Sequence, residues 1–180
     1  MTSTETLIRD LADRAELADL VARHSLWIDE ARYDETSRLF TADVIVISRR
    51  GQARGTEALI SAARSAHDRY PRTMHSKSNL VIGTDGDVAS VRAHDLAVYI
   101  LDDKTEAVAA AIHRYGARRT PDGWRFDHLE VIPVALTEAL DRALYGSRPS
   151  RVSGTSTACC CSASSGTICR ARSWVEASTT

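Results

Sequence analysis

The chain has 180 residues, of which 43% are hydrophobic, and this length supports one buried core rather than two. Its 23 Lys and Arg residues nearly balance its 24 Asp and Glu residues, and no basic stripe follows a phosphate backbone, so nucleic acid is not an expected partner. Residues 1–10 lack the pattern of a secretory signal and no run reaches the ~20 apolar residues of a membrane helix, which predicts no membrane association and a cytoplasmic location.

Helices come first in the predicted order of elements. A short helix is expected around Thr4–Leu11, and the spacing of Asp13 and Glu16 resembles a capping box that starts a second helix. This second helix should run to about Glu30. A third, short helix is expected over about 34–40.

Strand patterns follow the helices. Val44–Ile47 is a β-branched run that predicts a strand, 49–52 is a turn, and Gly55 opens a helix that closes before Pro71. Turn signals then separate four long strands at about 73–84, 88–101, 105–119 and 124–136. Short turns make these strands antiparallel neighbours. The predicted fold is α+β, with N-terminal helices packed into a curved, mostly antiparallel sheet that leaves a blind pocket for a small apolar ligand.

The composition changes near Ser147. Up to that point the chain has periodic apolar patterning, whereas residues 147–180 are rich in Ser, Thr, Ala, Gly, Arg and Cys. We therefore predict one domain over 1–146 and a disordered low-complexity tail over 147–180, which is either native or an out-of-frame reading. The tail holds all four cysteines, but it lacks the spacing and partner histidines of a zinc site.

Asp29 and His75 are the residues that best indicate a function. Asp29 stands near the end of a predicted helix, and His75 lies at the start of the first long strand. A histidine titrates near neutrality, and a buried carboxylate bonded to one ring nitrogen fixes its tautomer and stabilises the imidazolium. Taken singly, Asp29 could be an exposed helix-end acid and His75 a satisfied edge histidine. Together they predict a proton-transfer dyad.

A family resemblance rests on three segments: Trp27-Ile28-Asp29, the His-x-x-x-Asn-Leu spelling at 75–80, and Asp122-Gly123-Trp124-Arg125-Phe126. Over about Leu7–Val134 the chain resembles the SnoaL-like branch of the nuclear-transport-factor-2-like (NTF2-like) superfamily, including dehydrochlorinase and, more distantly, dehydratase members. The resemblance implies a cone-shaped α+β barrel, with His75 as general base and Asp29 as its partner. It also implies a homodimer or homotrimer. Fold alone does not define the reaction, because the superfamily includes cyclases, isomerases and inactive proteins.

Three further residues near the dyad are candidates for substrate binding. His24 stands where the dehydrochlorinase resemblance implies a lysine, and a neutral histidine would not stabilise a leaving anion as a fixed cation does. The alternative is a helix-surface histidine. Trp27 and Met74 adjoin the dyad in sequence and are expected to contact ligand as well as core.

The later strands add Asp95 and His128. Asp95 shares a strand face with small apolar residues, so it is either desolvated in the pocket or exposed on the surface, depending on which face is covered. By alternation His128 shares a face with Trp124 and Phe126, and it either lines the pocket or supports helix packing. The resemblance implies an arginine a few residues after Trp124, and His128 or Leu129 stands near that position instead. His113 is expected in a structural role, such as a subunit contact.

The sequence predicts a cofactor-independent acid/base enzyme acting on a small hydrophobic molecule. Neither a phosphate-binding glycine loop nor a metal-binding histidine motif is present, so no cofactor or metal is expected. A lyase of the dehydratase or dehydrohalogenase kind is favoured slightly over a polyketide-type cyclase or isomerase. A non-catalytic ligand-binding or assembly module is the alternative from another class. A bonded dyad in a cavity would favour an enzyme, and a filled cone a module.

Overall fold

The structure, a computed structural model, describes residues 3–145, and the predicted tail with its cysteines lies outside them. Four α-helices and a short 3-10 helix at Tyr33–Glu35 are present. The α-helices are α1 (Ser3–Asp29), α2 (Thr36–Leu39), α3 (Thr56–His67) and α4 (Glu138–Tyr145). The strands are β1 (Phe40–Ser48), β2 (Gly51–Arg54), β3 (Arg72–Asp85), β4 (Val88–Asp102), β5 (Thr105–Thr120) and β6 (Gly123–Leu136).

The six strands form one curved sheet in the order β2-β1-β6-β5-β4-β3. All neighbours are antiparallel except β1 and β6, which run parallel. The α+β prediction is confirmed, and each of the four long strands lies within one residue of its predicted bounds. Two details differ: the sheet is not closed into a barrel, and the predicted turn at 49–52 contains the start of β2.

The two predicted N-terminal helices are a single helix, α1, and the predicted capping box is wrong. Asp13 accepts hydrogen bonds from the Trp124 indole Nε1 at 3.2 Å and from the Arg119 guanidinium at 2.7 Å. Glu16 accepts one from the backbone N–H of Trp124 at 2.8 Å. Both acids therefore bind the turn between β5 and β6 instead of capping their own helix. These long-range partners attach α1 to the sheet.

Two apolar clusters hold the helices against the concave face of the sheet. The larger cluster joins α1 to the sheet through fully buried side chains that include Leu17, Trp27, Trp124 and Phe126. The smaller cluster packs Leu140 of α4 with side chains from β4 and β5 and the loop after α3. None of the helices within residues 3–145 is both long and apolar enough to cross a membrane.

A β-bulge in β6 decides which of its side chains face the helices. Ala117 pairs with Phe126 and Gly116 with His128, so Asp127 is an extra residue in the register. An extra residue shifts the alternation of a strand by one position. Phe126 and Leu129 are consequently both buried on the helix side.

Candidate active site

A cavity of about 420 Å³ lies between the helices and the sheet. Its walls combine apolar side chains from both clusters with polar ones, of which the buried or half-buried titratable members are His24, His67, His75, Asp95, Tyr99 and His113. A larger groove of about 630 Å³ beside α1 is open to solvent and carries no histidine. Ligand sites in proteins are usually concave and mostly apolar with a few convergent polar groups. The 420 Å³ cavity is therefore the candidate site.

Asp29 and His75 are in direct contact at the wall of this cavity. Asp29 is the last residue of α1, and its Oδ1 lies 2.6 Å from Nδ1 of His75. The same carboxylate accepts a hydrogen bond from the backbone N–H of His75 at 2.8 Å and another from the Thr73 hydroxyl at 2.8 Å. Three donors from β3 thus converge on two carboxylate oxygens. This arrangement fixes the position of the acid relative to the ring.

The contact also determines where the His75 proton resides. A carboxylate only accepts hydrogen bonds, so in the neutral imidazole the ring proton lies on Nδ1 and the lone pair on Nε2. Burial would raise the pKa of Asp29, but the hydrogen bonds from His75 and Thr73 outweigh it and hold this pKa below its usual value. The Tyr99 hydroxyl lies 3.4 Å from Nε2. Burial raises the pKa of Tyr99, so Tyr99 stays a neutral hydroxyl beside the basic nitrogen.

His67 adds a second imidazole to this end of the cavity, which sequence reasoning missed. Its ring centroid lies 5.4 Å from that of His75, and its Nδ1 donates a hydrogen bond to the carbonyl of Ala63 at 3.0 Å. Burial, reinforced by the nearby His75, lowers the pKa of His67 to about 4. A signal was present in the sequence, because residues spaced four apart share a helix face and Leu59, Ala63 and His67 have that spacing.

A second polar cluster lies at the cavity and contains five buried side chains. The Lys77 ammonium is ion-paired with Oδ1 of Asp95, and Oδ2 of Asp95 lies 3.6 Å from Nε2 of His113. Nδ1 of His113 lies 3.0 Å from the Tyr115 hydroxyl, and that hydroxyl lies 3.0 Å from Nδ1 of His24. We call this set the Lys77–His24 network.

The Asp95 carboxylate favours one arrangement of the protons in the network. Burial lowers the pKa of His24 and of His113 well below the usual value and raises that of Tyr115, so all three are neutral near pH 7. A carboxylate 3.6 Å from Nε2 of His113 favours the tautomer with the proton on that nitrogen. Nδ1 of His113 then accepts from the Tyr115 hydroxyl, whose oxygen accepts from Nδ1–H of His24. Nε2 of His24 is left with a lone pair.

Lys77 is the least expected member of the network. Its side chain is only 3% exposed, and burial lowers its pKa although the carboxylate of Asp95 opposes that shift. Sequence reasoning missed Lys77, yet alternation contained a signal, since residues 75 and 77 share a strand face. A buried ion pair adds little to the stability of a fold, but removal of one partner alone destabilises it by roughly 3–5 kcal/mol, because the other charge stays buried.

The structure places the sequence-predicted residues unevenly around the cavity. His24, Trp27, His75 and Asp95 line it, and Asp29 reaches His75 from the end of α1. His24 is 2% exposed, which excludes the alternative of a surface histidine. Asp95 is 6% exposed, so its strand face is the covered one. His113 is also buried inside the subunit, which corrects the expected subunit contact.

Met74 and His128 require a correction, because neither is among the described residues that line the cavity. Met74 is 59% exposed. It adjoins His75 on a strand, and successive strand residues point to opposite faces. His128 lies at the β6 bulge, where the shifted alternation replaces it with Leu129 as the inward residue. Within residues 3–145, no three His, Cys, Asp or Glu side chains are grouped as a metal site requires.

Residues 9–130 match the SnoaL-like domain family, and the chain belongs to that family. A protein of Mycobacterium tuberculosis, the uncharacterised Rv2910c, is 30% identical over 122 residues, which cover 66% of this chain and 83% of the relative. The architecture is that of NTF2-like proteins with a cystatin-like fold.

Two similar solved structures are enzymes by their descriptions. A type 2 hexachlorocyclohexane dehydrochlorinase (LinA) has a TM-score of 0.66 and 19% identity, covering 72% of this chain and 90% of its own. A candidate scytalone dehydratase of Novosphingobium aromaticivorans has a TM-score of 0.65 and 19% identity, covering 71% and 88%. At this identity the likeness establishes the fold alone.

Proposed function

We propose that the protein is a cofactor-independent lyase that removes a proton from a small hydrophobic substrate, with His75 as the base and Asp29 as its partner. The observation that carries the proposal is the 2.6 Å contact between Asp29 Oδ1 and His75 Nδ1 at the wall of a ligand-sized cavity. A base needs a lone pair on its reactive nitrogen while its other nitrogen is held. With Nδ1 bonded to Asp29, Nε2 of His75 has that lone pair, and its neighbour is the Tyr99 hydroxyl at the long distance of 3.4 Å.

The elimination can be written with these residues alone. Nε2 of His75 takes a proton from a substrate carbon, the C–H electron pair forms the double bond, and the leaving group departs from the adjacent carbon with its bonding electrons. The Asp29 carboxylate stabilises the imidazolium that forms. Where the leaving group is hydroxide, the Nε2 proton passes to its oxygen, so water leaves and His75 returns to its neutral form.

Two similar solved structures support this reaction class and leave the leaving group open. One is named a dehydrochlorinase and the other a candidate dehydratase, and both names denote eliminations. His24 stands where the dehydrochlorinase resemblance implies a lysine, and no arginine stands a few residues after Trp124, where the resemblance implies one. Isomerases and cyclases begin with the same proton removal, and a ligand-binding module would use the cavity without turnover.

Proton removal can be tested before the natural substrate is known. The α-protons of 2-tetralone, a bicyclic ketone of suitable size, exchange with deuterium when a base removes them, and NMR follows the loss of signal. We expect the protein to accelerate exchange above the buffer rate, and His75→Ala to lose at least about 100-fold of this acceleration. His128→Ala is the matched control, because that histidine lies outside the cavity lining.

The leaving group requires a second assay. The ketones 3-hydroxy-1-indanone and 3-chloro-1-indanone both eliminate to the same enone, so absorbance compares loss of water with loss of chloride, each relative to its uncatalysed rate. Acceleration of either reaction that depends on His75 supports a lyase. Exchange of 2-tetralone without elimination favours an isomerase or cyclase. Tight binding with neither reaction would replace the enzyme with a ligand-binding module.

A further inference from the structure

Asp95 and His113 face each other at the wall of the cavity without a direct hydrogen bond between them. Nε2 of His113 and Oδ2 of Asp95 are 3.6 Å apart, which is too long for a direct hydrogen bond. Both residues line the cavity. Two polar atoms at this distance can share a third polar group that lies beside them in the cavity, either a water molecule or a group of the ligand. Such a group would accept a hydrogen bond from His113 Nε2–H and donate one to Oδ2 of Asp95.

A hydroxyl group has this combination of properties. Its oxygen accepts and its proton donates, so one hydroxyl about 2.8 Å from each atom would satisfy both. A chloride or a carbon-bound halogen has no proton to donate. An ether or ketone oxygen accepts from His113 but offers no donor to Oδ2 of Asp95. The pair is thus selective by chemistry as well as by shape.

The surrounding network keeps this pair in one protonation state. Lys77 binds Oδ1 of Asp95, which holds that residue as an acceptor and leaves Oδ2 available. The Asp95 carboxylate favours the proton of His113 on Nε2, and the Tyr115 hydroxyl, 3.0 Å from Nδ1 of His113, can donate to that nitrogen and support the same tautomer. The acceptor is thus on the Asp95 side and the donor on the His113 side.

The same network offers little to a leaving halide. Asp95 lines the cavity, whereas Lys77 is not among the described lining residues, so the nearest buried cation is covered by its counter-ion. Arg49 and Arg50 also line the cavity, but both are exposed at the turn between β1 and β2. Charge in contact with water is screened.

We propose that Asp95 and His113 form a hydroxyl-binding subsite and that the substrate is therefore a hydroxylated hydrophobic molecule rather than a halogenated one. The inference rests on the proposed function only in taking the same cavity as the substrate site. It concerns binding, so it can be tested without turnover.

Three probes of one shape separate the possibilities. 2-Naphthol donates and accepts, 2-methoxynaphthalene only accepts, and 2-chloronaphthalene does neither well; calorimetry gives the dissociation constant of each. The protein should bind 2-naphthol about tenfold to 100-fold more tightly than either analogue, because a hydrogen bond to a charged acceptor is among the stronger kinds. Equal binding of 2-naphthol and 2-chloronaphthalene to the unaltered protein would overturn the subsite.

Variants locate the preference. Asp95→Asn alone would leave Lys77 buried without a counter-ion, so the charge-balanced pair Asp95→Asn with Lys77→Met is used instead. In this double variant the affinities for 2-naphthol and its two analogues should agree within about twofold. If the full preference for 2-naphthol remains, the hydroxyl binds at another site. His113→Phe retains the ion pair and serves as a second variant, with the same expected loss. If neither variant folds, the three affinities of the unaltered protein decide.

The two proposals fail separately. A naphthol preference that persists in His75→Ala, together with loss of 2-tetralone exchange, supports both. Exchange that depends on His75 without a naphthol preference removes only the hydroxyl subsite. A naphthol preference without exchange in any variant removes only the enzyme and leaves a hydroxyl-selective binding site.

Discussion

Replacing Asp29 with asparagine should disable the base while keeping the shape of the site. Three donors meet the two carboxylate oxygens: His75 Nδ1–H and the Thr73 hydroxyl at Oδ1, and the His75 backbone N–H at Oδ2. Asparagine offers one oxygen and one NH2 group. The backbone N–H cannot become an acceptor, so the oxygen should stay opposite it. The NH2 group then faces Nδ1 of His75.

The imidazole can adapt to this change only by moving its proton. With an NH2 group as neighbour, Nδ1 becomes the acceptor and the proton moves to Nε2, which is the nitrogen that should take the substrate proton. Loss of a positioned general base costs about 10²–10⁴-fold in rate. Ligand affinity should change by less than about threefold, because the apolar walls are untouched. Asp29→Asn should therefore lower kcat far more than it changes KM.

The assay is deuterium exchange of 2-tetralone, with kcat and KM determined for each variant and circular dichroism used to verify folding. Thr73→Val is the matched control, because it removes one donor from the same carboxylate and leaves the charge; its rate should fall less than about tenfold. Retention of kcat within about fivefold in Asp29→Asn would refute the tautomer argument. An equal loss of affinity and rate would instead indicate that Asp29 acts as a simple ligand contact.

Three predictions concern stability. The pKa of His67 is about 4 in the fold against an ordinary 6.5, so the unfolded chain binds more protons between these pH values. His67 should therefore lower the free energy of unfolding by roughly 3 kcal/mol as the pH falls from 6.5 to 4. In His67→Gln, the free energy of unfolding measured with urea should change less with pH over that range. Gly123→Ala should destabilise by about 1–3 kcal/mol, because φ is +99° and the new Cβ would overlap the Glu16 carboxylate. Leu140→Ala should cost about 2–5 kcal/mol, measured by urea unfolding, because this side chain is fully buried.

Each stability prediction has its own control. Unchanged pH slopes in His67→Gln would mean that the fold does not hold this histidine neutral. Gly86→Ala tests the effect of a positive φ alone, since φ is +59° there and no atom lies within 4 Å of the added Cβ. If Gly86→Ala and Gly123→Ala destabilise the protein equally, contact with Glu16 does not explain the effect at Gly123. Leu96→Ala is the exposed control for Leu140, since Leu96 is 51% exposed, and its expected change is within about 0.5 kcal/mol.

The strands could be predicted because their signal is local. Alternation and turn residues define the four long strands without knowledge of their partners. The bulge in β6 could not be placed in this way, since it depends on the strand opposite. Gly116 is the sequence feature that marks the bulge, because an isolated glycine within a strand pattern often indicates one. A Cβ at position 116 would lie 3.1 Å from the Cβ of His128.

The site divides in a similar way. Asp29 and His75 could be selected because a family motif names them, and the structure brings the two side chains into contact. No local pattern pairs Lys77 with Asp95, since each looks ordinary on its own strand. Their contact arises only because β3 and β4 pair Lys77 directly with Asp95 in register. Cross-strand register is a tertiary property, and a single sequence specifies it weakly.

The family match ends at residue 130, but the wall of the cavity does not. His24, His75, Asp95 and His113 all lie inside the matched stretch, whereas Val131, Pro133, Leu136 and Leu140 lie beyond it. The groups proposed to perform chemistry and those that limit the size of the ligand are therefore encoded in separable parts of the chain. Exchange of the segment after residue 130 between family members would change which molecules fit without altering the acid and base that act on them.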